Sequence, residues 1–491
     1  MVSFINKLSK NIVKGCFLVF ALVYSIANLL FTTTVNRTAY NTEFNFTSIF
    51  NILFLIFFIL LLYYLIKQDF FRINDFKLLI FFLIMCLILG TIWILTNDVE
   101  LKDLDDSYNC YHAALNILNG NYESLSYASY LSVYPNNIGY FTYLLVNLKI
   151  FGPTGTLYSI RFINLLFVLI GYLSLYGITN LLFKDKKTNY ILIYLMFLNI
   201  QYVFDSFIMY GNCLSYTLAL VSIYYLLKYF ENNNLRCLIF TAIAIICSIT
   251  IKNNSLIILI AEIIYLLIHF LNNKKISIIL TICLMLLGTY LGTSGLQKYW
   301  GNKVGINYND TKLPTICWLA YGVNYNQDRP GSYTSQFENY HAQNGYVKEY
   351  TENEAKTFIK GVFDDFKNNP ALIFRFYSQK FLASFTSPTY DCFDYYKELD
   401  NNGLVKEVTS GNLYTMFTNI FDSGSSIIAI GLLLLIFKDY KKIELKHTIL
   451  MCIVFGGFLF HAFWEVKAIY LYQYFMYLLP LGAYGISNNI R

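Results

Sequence analysis

Residues 255–295 read SLIILIAEIIYLLIHFLNNKKISIILTICLMLLGTYLGTSG, two long apolar runs joined by a short basic link. Each run, 255–272 and 276–295, approaches the roughly 20 apolar residues that one helical membrane crossing needs. Lys274 and Lys275 between them are typical of a loop that stays on the cytoplasmic side. The stretch therefore predicts two transmembrane helices joined by a cytoplasmic turn.

The composition of the whole chain favours the same class of protein. Of its 491 residues, 56% are hydrophobic and 13% are charged, whereas a soluble domain has roughly 25% charged residues. A soluble protein with so few polar side chains could not cover its own surface. The net charge of +6 does not indicate nucleic-acid binding, because the basic residues form short runs between apolar segments.

Apolar runs recur along the chain and predict an α-helical polytopic membrane protein with about twelve transmembrane helices. We place these spans at 15–35, 47–66, 77–96, 159–183, 188–207, 211–230, 236–251, 255–272, 276–295, 421–437, 447–464 and 467–487. Lysine-rich connectors follow the second, fourth, eighth and tenth spans, so all of them fall on one side, which the positive-inside rule makes cytoplasmic. The prediction is a multi-pass protein of the cell membrane with both termini in the cytoplasm. No small-residue cleavage site follows the first apolar run, so we expect a retained helix rather than a signal peptide.

Two segments are expected to lie outside the membrane on the extracytoplasmic side. Residues 137–151 are apolar but short, follow Pro135 and carry Lys149, so we predict an amphipathic helix on the outer surface. In the second segment, residues 352–367 have the apolar spacing of a helix, and we expect a small folded cap. The predicted organisation is three helices over 1–96, a first outer loop over 97–158, six helices over 159–295, the cap over 296–420 and three helices over 421–491.

Three acids open the first outer loop: Asp103, Asp105 and Asp106. A carboxylate at the mouth of a helix bundle can remove a proton from a hydroxyl group, and a carboxylate cluster can hold a divalent cation. The alternative is that these acids are solvated loop residues. No cofactor is certain from the sequence, and a divalent cation at these acids stays possible.

The residues around these acids carry a resemblance. The order Asp105-Asp106, Ala113, Gly120 and Tyr122 resembles the "DE…A…G-aromatic" signature of family 39-type glycosyltransferases. That family includes the protein O-mannosyltransferases and the aminoarabinose transferases, and it has the GT-C fold. The chain departs from the family pattern at Asp106, where Glu is commoner, and in having two extra spans before the motif.

Later segments extend the resemblance. Tyr134-Pro135, Phe151-Gly152 and Arg161 follow in the family's order. Residues 464–470, Trp-Glu-Val-Lys-Ala-Ile-Tyr, resemble a "WE-x-K-x-x-Y" element in bacterial cell-envelope members of the superfamily. The cap loop, with Pro314 early, is also similar to theirs.

The resemblance implies transfer of a sugar from a polyprenyl-phosphate carrier to an extracytoplasmic acceptor, which is a glycan, a lipid or a protein. Its motif gives Asp105 the role of general base, and Asp106 would orient the acceptor or share that role. Arg161, Lys252 and Lys467 lie at predicted outer ends of spans, where they could stabilise the charge of the phosphate leaving group. The alternative for these cations is that their side chains extend from helix ends to the membrane interface.

Further candidates for substrate binding are less specific. They are Asp103, Asp205, Lys380, Glu465 and Tyr470. Asp205 could equally be a solvated helix-end carboxylate and Lys380 a surface residue, while Glu465 could pair with Lys467.

Other functions and features stay open at this point. A twelve-span transporter or flippase is the main alternative, although the ionisable residues lie at span ends rather than near the midplane, where transporters place their sites. A lipid-linked glycan polymerase would share the architecture. We expect His461 to be a buried, hydrogen-bonded histidine. A disulfide among Cys110, Cys317 and Cys392 is undetermined.

Overall fold

The computed structural model describes residues 2–36, 41–68, 73–97, 106–326, 328–393 and 403–489. Asp103 and Asp105 lie outside the described residues. Within those ranges nine helices are long and apolar enough to cross a membrane, which confirms an α-helical polytopic membrane protein. Shorter helices occupy the remaining predicted spans, so the count of twelve stays a prediction.

The helices and strands are numbered in chain order. The first part comprises α1 Val2–Leu30, β1 Phe31–Asn36, β2 Asn41–Phe46, α2 Ile49–Lys67, α3 Asp75–Thr96, α4 Asp106–Leu118, α5 Tyr130–Val133, α6 Ile138–Phe183, α7 Lys186–Leu198, α8 Gln201–Asp205, α9 Asn212–Asn232, α10 Leu235–Ile251, α11 Leu256–Asn273 and α12 Ile276–Tyr290. The second part comprises α13 Leu296–Val304, α14 Tyr308–Thr311, α15 Ile316–Val323, α16 Gln336–Gln343, α17 Lys348–Asn368, α18 Pro370–Phe385, α19 Gly403–Thr409, α20 Asn412–Phe437, α21 Thr448–Phe463, α22 Ala468–Phe475 and α23 Leu478–Ser487.

The first expected span, 15–35, extends too far at its C-terminal end. Helix α1 ends at Leu30, and the next residues, Phe-Thr-Thr-Thr-Val-Asn, form β1 of a two-stranded antiparallel hairpin. β-Branched residues lose side-chain freedom in a helix and suit a strand, which accounts for the change at this point. Phe31 stacks on Phe46 across the hairpin at 5.0 Å between ring centroids.

The basic connectors share one end of the helix bundle. Lys184, after α6, forms an ion pair with Glu231 at the end of α9 at 2.7 Å. Lys275, before α12, donates a hydrogen bond to Asn233 at 2.6 Å, and Lys14 of α1 donates to the backbone carbonyl of Tyr440. The charge pattern in the sequence therefore corresponds to a physical end of the bundle. That this end is cytoplasmic stays a prediction.

Helix α6 consists of two helices joined by a sharp break. Gly152 has φ 71° and ψ 170°, a backbone conformation that suits glycine, and Pro153 begins the second helix. The first part, 138–151, buries Phe141 and Leu144 and leaves Ile150 exposed. It is thus a separate segment from the expected span at 159–183. Its position on the membrane surface stays a prediction.

The cap contains the expected helix, with somewhat wider bounds. Helix α17 covers the expected 352–367, and Phe337, Ala355 and Val362 are buried in two small apolar clusters of the cap. The C-terminal part of the expected cap, 296–420, packs into the helix bundle instead of forming part of a separate unit. Phe385 and Phe393 belong to the main bundle core, and α20 begins nine residues before the expected start at 421.

Candidate active site

A cavity of about 1200 Å³ lies between the cap and the end of the bundle opposite the basic connectors. Charged side chains from widely separated parts of the sequence line it. They are Asp106 from α4, Lys252 from the link between α10 and α11, Lys312, Asp328, Arg329 and Glu338 from the cap, Asp391 from the segment after α18, and Glu465 and Lys467 from the link between α21 and α22. Tyr470, the last residue of the 464–470 element, also lines it.

Asp106 and Lys252 are joined through Tyr210. The Tyr210 hydroxyl donates a hydrogen bond to the Asp106 carboxylate. The Lys252 ammonium donates to the Tyr210 backbone carbonyl at 3.3 Å and lies 2.8 Å from the centroid of its ring. Gly211, at φ 77°, turns the chain after Tyr210, and a Cβ atom there would lie 2.9 Å from Ile251. The backbone turn therefore fixes the tyrosine between the acid and the cation.

Lys252 is buried at the end of α10, where the chain leaves the helix. Removal from water lowers the pKa of its ammonium to about 7, against the opposing influence of the nearby Asp106 carboxylate. The protein therefore favours the protonated form of Lys252 only weakly. A phosphate bound beside it would favour that form, because the negative charge raises the pKa of the ammonium.

The link between α21 and α22 is extended and is held by the cap. The Glu465 amide donates to the Trp318 carbonyl at 3.0 Å, and the Val466 amide donates to the Gly331 carbonyl at 2.9 Å. Glu465 is buried, and burial raises the pKa of its carboxyl group, although Lys467 and Arg329 oppose the shift. This link brings Glu465 and Lys467 to the cavity.

Lys380 has a different position from the one expected. It is 3% exposed and does not line the cavity. Its ammonium donates to the backbone carbonyls of Gly322, Ala462 and Trp464 at 2.5, 3.0 and 2.9 Å. Contact with a lipid phosphate would require these bonds to be given up, so the structure indicates that Lys380 joins the cap to the end of α21.

Arg161 and Asp205 also do not line the cavity. The Arg161 guanidinium lies 3.6 Å from the centroid of the Phe207 ring, and cation–π contacts of this kind stabilise buried arginines. Asp205 is buried, and one of its carboxylate oxygens has no hydrogen-bond partner among the described residues. The structure therefore leaves these two residues outside the cavity lining.

The histidine and cysteine expectations are resolved in part. His461 is buried, and its ring bonds the backbone carbonyl of Glu465 at 3.0 Å, as expected. Cys110, Cys317 and Cys392, all within the described ranges, form no disulfide with one another. No group of three or more His, Cys, Asp or Glu suited to a metal ion occurs in the part of the chain that the structure describes.

Sequence reasoning missed Tyr210 and five charged residues of the cavity, Lys312, Asp328, Arg329, Glu338 and Asp391. The sequence holds a signal for two of them. Arg329 forms an ion pair with Asp391 at 2.7 Å, and Tyr210 bonds Asp106. Each precedes a glycine with positive φ by one or two residues, Gly211 for the tyrosine and Gly331 for the arginine. Turn glycines next to a polar side chain were the available signal.

Residues 138–291 match the family described as dolichyl-phosphate-mannose-protein mannosyltransferase. The matched segment includes Tyr210 and Lys252 but neither Asp106 nor the 464–470 element. No curated protein and no solved structure matches the chain. The family match supports a membrane glycosyltransferase that uses a lipid-linked sugar donor, and it agrees with the resemblance seen in the sequence.

Replacing Tyr210 by Phe tests the link between the acid and the cation. The variant removes the hydroxyl on Asp106 and keeps the ring beside Lys252. A hydrogen bond to a charged group contributes about 1.5–3 kcal/mol, so kcat for sugar transfer is expected to fall about 10- to 100-fold with little change in donor KM. Tyr325→Phe is the control, because its hydroxyl bonds Asp365 on the cap surface at 2.6 Å. Equal kcat values for both variants would remove Tyr210 from the site.

Lys380→Met tests the junction between the cap and α21. The substitution leaves three buried carbonyls without their donor, and each unsatisfied group costs about 1–3 kcal/mol. We expect a lower midpoint of thermal unfolding in detergent than for Lys360→Met, which changes an exposed lysine of α17. If the two midpoints were the same, Lys380 would not hold the junction.

Proposed function

We propose that the protein is an inverting glycosyltransferase that moves a sugar from a polyprenyl-phosphate donor to an extracytoplasmic acceptor. The observation that carries the proposal is the convergence of Asp106, Lys252 and Lys467 on one cavity at the membrane end of the cap. A reaction of this type needs a base for the acceptor and cations for the phosphate leaving group.

In the proposed reaction an acceptor hydroxyl oxygen forms a bond to the anomeric carbon of the sugar. The bond from that carbon to the phosphate oxygen breaks on the opposite face, so a single displacement inverts the configuration. The hydroxyl proton passes to a carboxylate, and the bonding electrons remain on the phosphate. Asp105 is the proposed base from its motif position, and Asp106, held by Tyr210, orients the acceptor.

The cations of the cavity are suited to the leaving phosphate. Lys252 and Lys467 supply positive charge from two different links of the bundle. Arg329 supplies a third from the cap, although it is paired with Asp391. Glu465 lies among these cations. With it, the charged side chains that line the cavity are four basic and five acidic, so their formal charges nearly cancel. Asp103 and Tyr470 remain candidates for acceptor or sugar contacts.

One flank of the cavity is apolar and suits an isoprenoid chain. Leu256 and Ile260 of α11 line the cavity and are also 40% and 56% exposed. Ile264, one turn further along α11, continues the same exposed stripe. Across from them, the rings of Phe460 and Trp464 stack with centroids 5.1 Å apart. A lipid tail lying along the exposed face of α11 would leave its phosphate beside Lys252 and Lys467.

The direct experiment uses purified protein in proteoliposomes with a panel of polyprenyl-phosphate sugars. Mass spectrometry of the acceptor and of the released polyprenyl phosphate measures transfer. If donor or sugar crosses the bilayer without any new glycosidic bond, the transporter alternative is favoured and the proposal fails.

Asp105→Asn is expected to abolish most of the transfer. General-base catalysis contributes about 10²–10⁴-fold, and kcat should fall by that factor while donor binding persists. Asp364→Asn, on the exposed surface of α17, is the matched control. A variant with wild-type kcat would show that another group removes the proton.

Ile260→Trp tests the apolar flank. The larger side chain would obstruct the opening, so the KM for a long-chain donor should rise about tenfold, equivalent to about 1.4 kcal/mol of lost lipid contact. A donor with only two isoprene units should be used as well as before. Leu271→Trp lies near the other end of α11, is 42% exposed and does not line the cavity, so it should leave both KM values unchanged. Identical behaviour of the two variants would contradict this route for the lipid.

A further inference from the structure

Helix α18 leads from the cap into the bundle at its cavity end. At the middle of the helix, the Tyr377 ring lies 6.4 Å from the ring of Phe463, the last residue of α21. Just after its end, the Thr386 carbonyl accepts a hydrogen bond from the Thr33 amide at 3.0 Å, next to the end of α1. The second half of α18 therefore packs against α21 and α1 at this end of the bundle, and its first turns belong to the cap.

The start of α18 exposes large apolar side chains. Phe374 is 78% exposed and Ile373 is 37% exposed, and Phe363 near the end of α17 is 48% exposed. Between them Phe366 is buried against Phe376, with ring centroids 5.9 Å apart. The corner of the cap thus has a filled interior and still presents apolar groups outwards, which in water would be unfavourable.

This apolar corner continues the surface of the bundle that faces lipid. Leu459 and Phe463 of α21 are 50% and 46% exposed, and Tyr377 of α18 lies beside Phe463. The contact between Phe463 and Tyr377 joins the exposed apolar side chains of α21 to those of the cap, and adjoining apolar surfaces favour a common environment. The bilayer is therefore a better occupant than a soluble partner.

Exposed cations flank the corner. Lys360 and Lys367 of α17 and Arg375 of α18 are exposed. Two acids nearby, Asp364 and Asp365, are exposed as well, and Asp365 accepts a hydrogen bond from Tyr325. Apolar groups with adjacent basic residues are the pattern of segments that lie in the membrane interface and contact anionic head groups.

We propose that the cap foot, defined as Phe363, Lys367, Ile373, Phe374 and Arg375, inserts into the leaflet at the cavity end and binds anionic phospholipid head groups. The inference needs only a membrane-spanning bundle and does not depend on the sugar-transfer proposal. It gives α18 two attachments, because the same helix carries Lys380 into the junction with α21. The cap would then be fixed to the bilayer as well as to the bundle.

The test places a photoreactive side chain on the cap foot of the full-length protein. Phe374→p-benzoylphenylalanine is reconstituted into vesicles of mixed zwitterionic and anionic phospholipid, irradiated, and analysed for lipid adducts by mass spectrometry. The control is Tyr350→p-benzoylphenylalanine, an equally aromatic site near the start of α17 that is 55% exposed. It lies 13 residues before Phe363, which corresponds to about 20 Å along the helix.

Lipid adducts are expected at position 374 and not at position 350. Adding Lys367→Gln and Arg375→Gln should reduce the anionic share of the adducts about fivefold for each charge removed. Equal labelling at the two positions, or a protein–protein adduct at 374, would overturn the proposal. Phe374→Trp with brominated phospholipids gives a second measurement with a conservative change, and an absence of added quenching relative to Tyr350→Trp would also overturn it.

Discussion

The arrangement of the cavity depends on how the backbone is satisfied where the chain leaves α21. A break between two helices at the edge of a membrane exposes amide and carbonyl groups that need partners inside the protein. Here Lys380 donates to Ala462 and Trp464, and the cap carbonyls of Trp318 and Gly331 accept from Glu465 and Val466. The cap thereby makes an extended link possible, and that link carries two charged residues of the cavity.

A second turn completes the charged group from the other side. The segment before α9 brings Tyr210 between Asp106 and Lys252, and Gly211 allows the backbone to turn in a confined space. Lys252, Glu465 and Lys467 are therefore held by non-helical links between helices, and the transmembrane helices position those links. The chemistry that we propose depends on segments that are individually short and mutually distant in the sequence.

Much of this could be predicted from the sequence, and the exceptions have physical causes. Apolar run length and lysine placement predicted the helical bundle and the common end of the basic connectors. Lys252 and Lys467 were found because cations are unusual at those span ends. Lys380 was misplaced because an amphipathic segment does not reveal which carbonyls a lysine will reach in distant helices. The β-hairpin was missed because apolar length alone does not separate a helix from the strand that follows it.

The family match covers only some of the residues that the structure brings together at the cavity. The match includes Tyr210 and Lys252, while Asp106 and the 464–470 element join them only in the folded structure. The matched segment and the charged residues of the cavity thus point to the same function, although most of those residues lie outside the match. This agreement strengthens the glycosyltransferase proposal.

The cavity borders two phases. Its flank at Ile260 is apolar and exposed, whereas Asp328 and Ser335 of the cap, which also line it, are polar and exposed. In the proposed reaction the spent carrier would diffuse away laterally and the glycosylated product would leave through water. The two products would leave by separate routes and would not obstruct each other. Donor and acceptor would therefore not have to use the same entrance in turn.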